Sequence, residues 1–168
     1  DAMPGVDAPP EDRWIVSRVE GLARSVDEQL RKFEMGEAAR QVYDFVWGEF
    51  ADWYIEIAKV RARSGDASAP SPLPVLAYVL DRSLRMLHPF MPFVTEEIWQ
   101  NLASRVGGID GEALIVAAYP RGESGYHDAA AEREMATLID VVRALRNIRA
   151  EKKVEPGKFI EAYVVADG

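Results

Sequence analysis

The stretch HPFMPFVTEEIWQ, His88 to Gln100, decides how this chain is read, together with WGEFADWYIE, Trp47 to Glu56. Both are dense in aromatic and apolar side chains at helical spacing and poor in groups able to do chemistry. Pro89 and Pro92 lack an amide hydrogen and bias the residue before them away from helix, so a helix must stop there. Thr95 then predicts the cap of a short helix through about Ala103, with Glu96 and Glu97 complementing its positive end. Neighbouring residues on a helix point about 100° apart, so the two glutamates do not form an acid pair. Together the two stretches predict a rigid helical scaffold whose work is recognition.

Upstream, Ile15, Val19, Leu22, Val26, Leu30 and Phe33 recur every three or four residues and predict a helix from about Asp12 to Phe33, with Gly36 breaking it or sitting in the turn. A second helix is expected over residues 37–62, with Val42, Phe45, Val46, Phe50, Trp53 and Ile57 inward. Gly, Ser and Pro between Ser64 and Pro74 mark a loop, from which Pro72 or Pro74 starts a third helix carrying Val75, Val79, Leu80, Leu84 and Leu87. Beyond Gly107 and Gly108, Leu114 to Val116 reads as a short strand. A fifth helix follows from about Asp128 to Lys153, inward through Met135, Leu138, Ile139, Val142, Leu145 and Ile148. FIEAYVV, Phe159 to Val165, alternates like a strand. The expected fold is mainly α: a helical bundle with a small C-terminal helix–strand (α+β) unit. Residues 1–11 read as a linker, 12–125 as the bundle and 126–168 as a subdomain that looks truncated.

A chain of 168 residues buries enough surface to fold without a metal or disulfide staple. It has no cysteine, which excludes disulfides and thiolate chemistry and fits a reducing, cytoplasmic setting. His88 and His127 are its only histidines, too far apart in sequence to suggest a metal site. No run approaches the ~20 apolar residues of a membrane span. The net charge of −8 argues against nucleic acid as a partner, but its distribution weakens that objection. KVRAR, residues 59–63, carries three bases and no acid, and residues 143–158 carry six bases against two acids. Phosphate binding needs a local positive patch, not a positive total.

Four segments carry a resemblance: DRWIVSR (Asp12 to Arg18), EAARQVYDFVWGEFADWYIEIAK (Glu37 to Lys59), LHPFMPFVTEEIWQNL (Leu87 to Leu102) and RALRNIRAEKKVEPGK (Arg143 to Lys158). In order and spacing the chain resembles the anticodon-binding domain of the valyl-tRNA synthetases, which are class I aminoacyl-tRNA synthetases. The isoleucyl and leucyl enzymes share the bundle but not the W-G-E-F-x-D-W-Y wording. The resemblance implies recognition of the anticodon stem-loop of the tRNA for valine. It also implies a parent polypeptide whose catalytic domain ligates valine to that tRNA using ATP and Mg²⁺. The family's two ATP-site signatures are absent, so no catalytic residue and no cofactor is expected in this chain. One further family helix is expected upstream of Asp1. Rival readings are a helical protein-interaction module that uses its acidic faces and binds no RNA, and the equivalent domain of a related isoleucyl or leucyl enzyme.

Candidate contacts follow from chemistry and from the resemblance together. Trp47, Phe50, Trp53 and Tyr54 can stack on unpaired bases. The regular stripe makes Phe50 and Trp53 core residues, whereas Tyr54 lies off its centre. Ile55 offers an apolar wall, and the Glu56 carboxylate can accept from a base amino group. By resemblance this part of the helix meets the anticodon. Lys59, Arg61 and Arg63 supply phosphate attraction, and Arg143, Arg146, Arg149 and Lys153 share an arc of helix able to track an RNA backbone or simply to face water. His88, set between apolar runs, is expected to be structural.

Overall fold

The computed structural model describes residues 5, 7–64, 69–107, 109, 111–122, 124–155 and 157–163. Helix α1 (Pro10–Arg31) is the centre of the molecule, packed by α2 (Met35–Phe45), α4 (Leu73–Leu87) and α6 (Ala129–Glu151). Helix α2 runs on through a π-helical segment, Val46–Ile55, into α3 (Glu56–Ser64). Helix α5 (Pro92–Ala103) packs on α4, and 3₁₀ turns occupy Leu114–Val116 and Ser124–Tyr126. The bundle expected from the sequence is therefore present.

Its main core gathers Ile15, Val19 and Val26 of α1, Val42 and Phe45 of α2, Val79 and Met86 of α4, and Met135 of α6. A second cluster forms where Trp99 meets Leu84 and Leu114. The Trp99 indole donates to Asp81 Oδ1 at 2.7 Å, which satisfies the one polar atom that burial would otherwise strand. Asp128 caps α6 by accepting from the amides of Ala130 and Ala131, while Arg13 of α1 donates to its other oxygen at 2.9 Å. Gly122, at φ +71°, lies so close to α1 that a Cβ there would stand 2.5 Å from the Glu20 carbonyl oxygen.

Several expectations need correction. Leu114 to Val116 is a 3₁₀ turn, and residues 157–163 form no strand. Alternation predicts a strand only where a partner supplies the ladder, and among the described residues none lies beside Phe159, which is fully exposed. Val164 and Val165 fall outside the described residues. Gly36 neither breaks α1 nor sits in the turn; it lies inside α2, and the turn is made by Phe33 at φ 60°. The amides of Phe33 and Glu34 bond back to Leu30 and Gln29, a left-handed cap with phenylalanine where glycine is usual. Thr95 does not cap α5, which starts at Pro92. Its hydroxyl donates to the Met91 carbonyl at 2.8 Å and meets His88 Nδ1 at 2.9 Å, a contact that gives the histidine the structural role expected of it. Glu96 instead accepts the Leu114 amide, capping the 3₁₀ turn. On α6, Leu138 and Ile148 are exposed because the helix rests on the bundle along a narrower face than its apolar spacing suggested.

Candidate functional site

The π segment reorganises the aromatic stretch. Bonding to the fifth residue back instead of the fourth widens each turn, so the 3.6-residue stripe drifts. Phe50 and Trp53 stay buried as expected, and Tyr54 swings from the stripe's edge into the core, fully buried and stacked on Phe50 with ring centroids 6.3 Å apart. Ile57 is displaced to the margin while Ala58 takes the inward position. Trp47 is left on the surface against Tyr43, with centroids 6.2 Å apart.

Tyr54 and Arg61, both candidates for RNA contact, are engaged inside the molecule. The Tyr54 hydroxyl donates to Asp12 Oδ1 at 2.6 Å, and Arg61 Nη1 donates to the same oxygen at 2.6 Å. Burial raises the Tyr54 hydroxyl far above its ordinary range, and its bond to Asp12 raises it further. Glu11 stands 3.2 Å from Arg61 Nη1, and Arg61 Nη2 donates to the Pro70 carbonyl at 2.6 Å. Burial acts to lower the Arg61 pKa, but Asp12 and Glu11 outweigh it and raise it. Arg61 is thus a strut joining the first turn of α1 to the chain that enters α4.

The other α3 candidates face outward. Glu56, Lys59 and Arg63 are exposed, and Lys59 Nζ donates to Glu56 Oε1 at 2.7 Å. That bond holds the Glu56 carboxyl below its usual range, followed by the charge of Lys59 and, from farther off, Arg63 and Arg146. Arg146 belongs to α6, so the fold brings the two basic segments of the sequence to one place. Trp53, in the helical run that leads into α3, carries the α6 arginines: the guanidinium carbons of Arg143 and Arg146 lie 5.7 Å and 5.2 Å from its ring centroid. The Arg143–Asp140 ion pair is long, at 3.8 Å, and exposed, so it holds Arg143 weakly. Arg149 donates to the carbonyls of Glu155 and Lys158, bracing the chain after α6. Lys153 is exposed at φ 51° in that turn. The role of Trp53 could not be read from its spacing, because the arginines it carries lie about ninety residues away.

An open groove of about 530 Å³ adjoins this face, lined by Ile55, Ala58, Lys59 and Ala62 on one side and by residues 69–73 and Leu76 on the other. Ile55 is half-buried there. Among the described residues no three His, Asp or Glu side chains converge to hold a metal, and no helix is long and apolar enough to cross a membrane.

Residues 12–164 match the family model of the anticodon-binding domain of tRNA ligase. The valine–tRNA ligase of Dehalococcoides mccartyi is 47% identical over 167 residues, which cover 99% of this chain and 19% of that protein. The valine–tRNA ligase of Bacillus cereus is 44% identical over 156 residues, covering 92% of this chain and 17% of that protein. That of Geobacillus stearothermophilus is 43% identical over 154 residues, covering 91% of this chain and again 17% of its own length. The chain therefore spans about a fifth of the length of the curated relatives it matches.

Proposed function

Because this chain belongs to the family of anticodon-binding domains of tRNA ligases, we propose that it reads the anticodon loop of the tRNA for valine, using the face built from α3 and the end of α6. The observation that carries this reading is the convergence of Lys59, Arg63 and Arg146 around Glu56, with Arg143 beside Arg146 over Trp53, in an otherwise acidic molecule. The cations neutralise phosphates and set the position of the loop, while Glu56 and Ile55 meet the bases. Lys153 extends the basic track beyond α6. Tyr54, Arg61 and Arg149 act on the same site from within, by holding its walls. The valine assignment rests on the relatives' names and on the aromatic wording of residues 47–54.

On this reading the full-length protein is a valine–tRNA ligase of the cytoplasm. It activates valine with ATP and Mg²⁺ in its remaining length, and this chain docks beside that catalytic domain. The chain's own task is discrimination, since contacts made better by the cognate anticodon favour the cognate tRNA. A salt series tests it. In the full-length polypeptide, Lys59→Ala, Arg63→Ala and Arg146→Ala together should weaken binding of cognate and altered anticodon stem-loops alike. The slope of log affinity against log salt should flatten by about 2–3, at ~0.7–0.9 for each phosphate no longer neutralised. An unchanged slope in fluorescence titrations would remove RNA from this face.

A further inference from the structure

We infer that the cavity between α4 and residues 118–122 is a site for a phosphate group, separate from the face built from α3 and α6 and independent of what that face binds. The cavity measures about 380 Å³ and is lined by Arg82, Ala118, Tyr119, Arg121 and Gly122, none of which belongs to that face. Two contacts fix its walls. Arg85, itself paired with Asp81, donates from Nη1 to the Ala118 carbonyl at 3.1 Å and ties one end of the loop to α4. At the other end Gly122 takes φ +71° against α1, where a Cβ would stand 2.5 Å from the Glu20 carbonyl oxygen and from Arg24 Cγ. An entering ligand therefore meets groups already held in position, which lowers the ordering cost of binding.

The donors on this cavity are only partly engaged. Arg82 gives Nε and Nη2 to the fully buried Glu20, and Nε also to the Tyr78 hydroxyl, so Nη1 makes no bond among the described residues. Arg121 is exposed and has neither a hydrogen bond nor an ion pair among them. The backbone amides of Arg121 and Gly122 donate to no described residue either, and free amides of a tight loop are the groups that cradle phosphates elsewhere. The nearby acids have partners of their own: Tyr78 and Arg82 meet Glu20, and Arg31 meets Asp27 at 2.8 Å. Two guanidinium groups thus face one buried carboxylate, a balance that draws an anion. Donors arriving from a helix and from a loop suit the oxygens of a phosphate, which point in all directions, better than the two coplanar oxygens of a carboxylate. The volume exceeds what a bare ion fills, and Ala118 and Tyr119 add apolar wall. The phosphate is therefore one carried on an organic body, either a small phosphorylated molecule or the backbone of RNA.

Hydrogen exchange of the full-length polypeptide, read by mass spectrometry on residues 117–122, tests the site with inorganic phosphate, adenosine monophosphate and the cognate tRNA as separate probes. At least one of the three should slow exchange in that segment. Arg121→Gln, at an exposed position where folding is undisturbed, should raise the concentration for half protection by about tenfold or more, because a charge-assisted bond is lost. Arg82→Lys keeps a charge opposite Glu20 but has no second planar donor, and should raise it by roughly threefold. Protection by phosphate or adenosine monophosphate assigns the site to a small phosphorylated ligand. Protection by tRNA alone assigns it to the RNA backbone, and Arg121→Gln should then flatten the salt slope by about 0.7–0.9. If no probe slows exchange, or if both variants are protected as well as the native protein, the cavity holds no phosphate. Thermal melts without any probe show whether each variant is folded, and Arg121→Gln decides the matter should Arg82→Lys not fold.

Discussion

Arg61 and Arg63 stand two residues apart in one basic run, yet they belong to different parts of the molecule. Arg61 is held between Asp12, Glu11 and the Pro70 carbonyl, whereas Arg63 projects from an exposed position on α3. The same division separates two regions. Around α1, charges are sunk into internal networks: Glu20, fully buried, is met by Tyr78 and Arg82, and Asp12 by Tyr54 and Arg61. Around the end of α3 and α6, cations rest on Trp53 or pair with acids that are exposed to water. The first arrangement is strongly disrupted when one partner is removed, because a buried charge is left uncompensated. The second leaves its charges available to an incoming phosphate at little cost. Density of charge along the chain does not distinguish them; the partner does.

The largest expected effect tests the internal network. Asp12→Ala should lower unfolding free energy by about 3–5 kcal/mol, since two donors inside the molecule lose their shared acceptor. Arg63→Ala, by contrast, should change stability by no more than about 0.5 kcal/mol. Urea melts of the two variants measure both, and equal losses would erase the distinction between the regions.

A smaller effect is expected where the α1 frame holds α6. Asp128→Ala should cost about 1 kcal/mol, the usual value of a helix cap. The amide of Ala131 is the main cause that holds the Asp128 carboxyl below its ordinary range; slight burial opposes it, and Arg13 helps. A depressed carboxyl stabilises the fold above its unfolded pKa, and that stability is lost as the pH falls through the lower folded value. The difference between native protein and variant should thus be complete at neutral pH and shrink below about pH 4. A difference that stays constant down to about pH 2 would deny the cap its charge.

The smallest effects compare the ends of α1 and α6, which close alike on a non-glycine residue of positive φ, Phe33 in one and Lys153 in the other. Phe33→Gly should stabilise the protein by about 0.5–1 kcal/mol, since glycine takes that conformation without strain and an exposed ring is all that is removed. Lys153→Gly should stabilise it similarly but reduce the salt slope for RNA by up to about 0.9. If Lys153→Gly leaves the slope unchanged, the basic track ends before the turn.

Much of the fold was legible because α1 and α4 are long amphipathic helices whose apolar spacing survives packing, whereas α6 buries only part of its stripe. What was not legible has two physical sources. A π segment shifts each backbone hydrogen bond by one residue, which moved Tyr54 inward without any mark in composition. Partners distant in sequence decided the rest: Asp12 lies 42 residues from Tyr54 and 49 from Arg61, so neither bond could be foreseen from local pattern. The candidate face was visible as two basic segments, but their meeting was not: Arg146 of α6 comes near Glu56, which Lys59 pairs on α3. At the C-terminal end, the alternation from Phe159 to Tyr163 misled because a strand is defined by its neighbour.

Trp53 also makes the molecule its own optical gauge. A nearly enclosed indole under two guanidinium groups emits in a field set by their charge, and Arg143 and Arg146 must turn toward any phosphate they neutralise. Trp99 also lies beneath an arginine, but Asp81 holds that Arg85 inside the fold, and Trp47 is on the surface beside Tyr43. Binding on this face therefore carries a signal from within the native sequence, and Trp53→Phe should remove it while the other three tryptophans continue to emit.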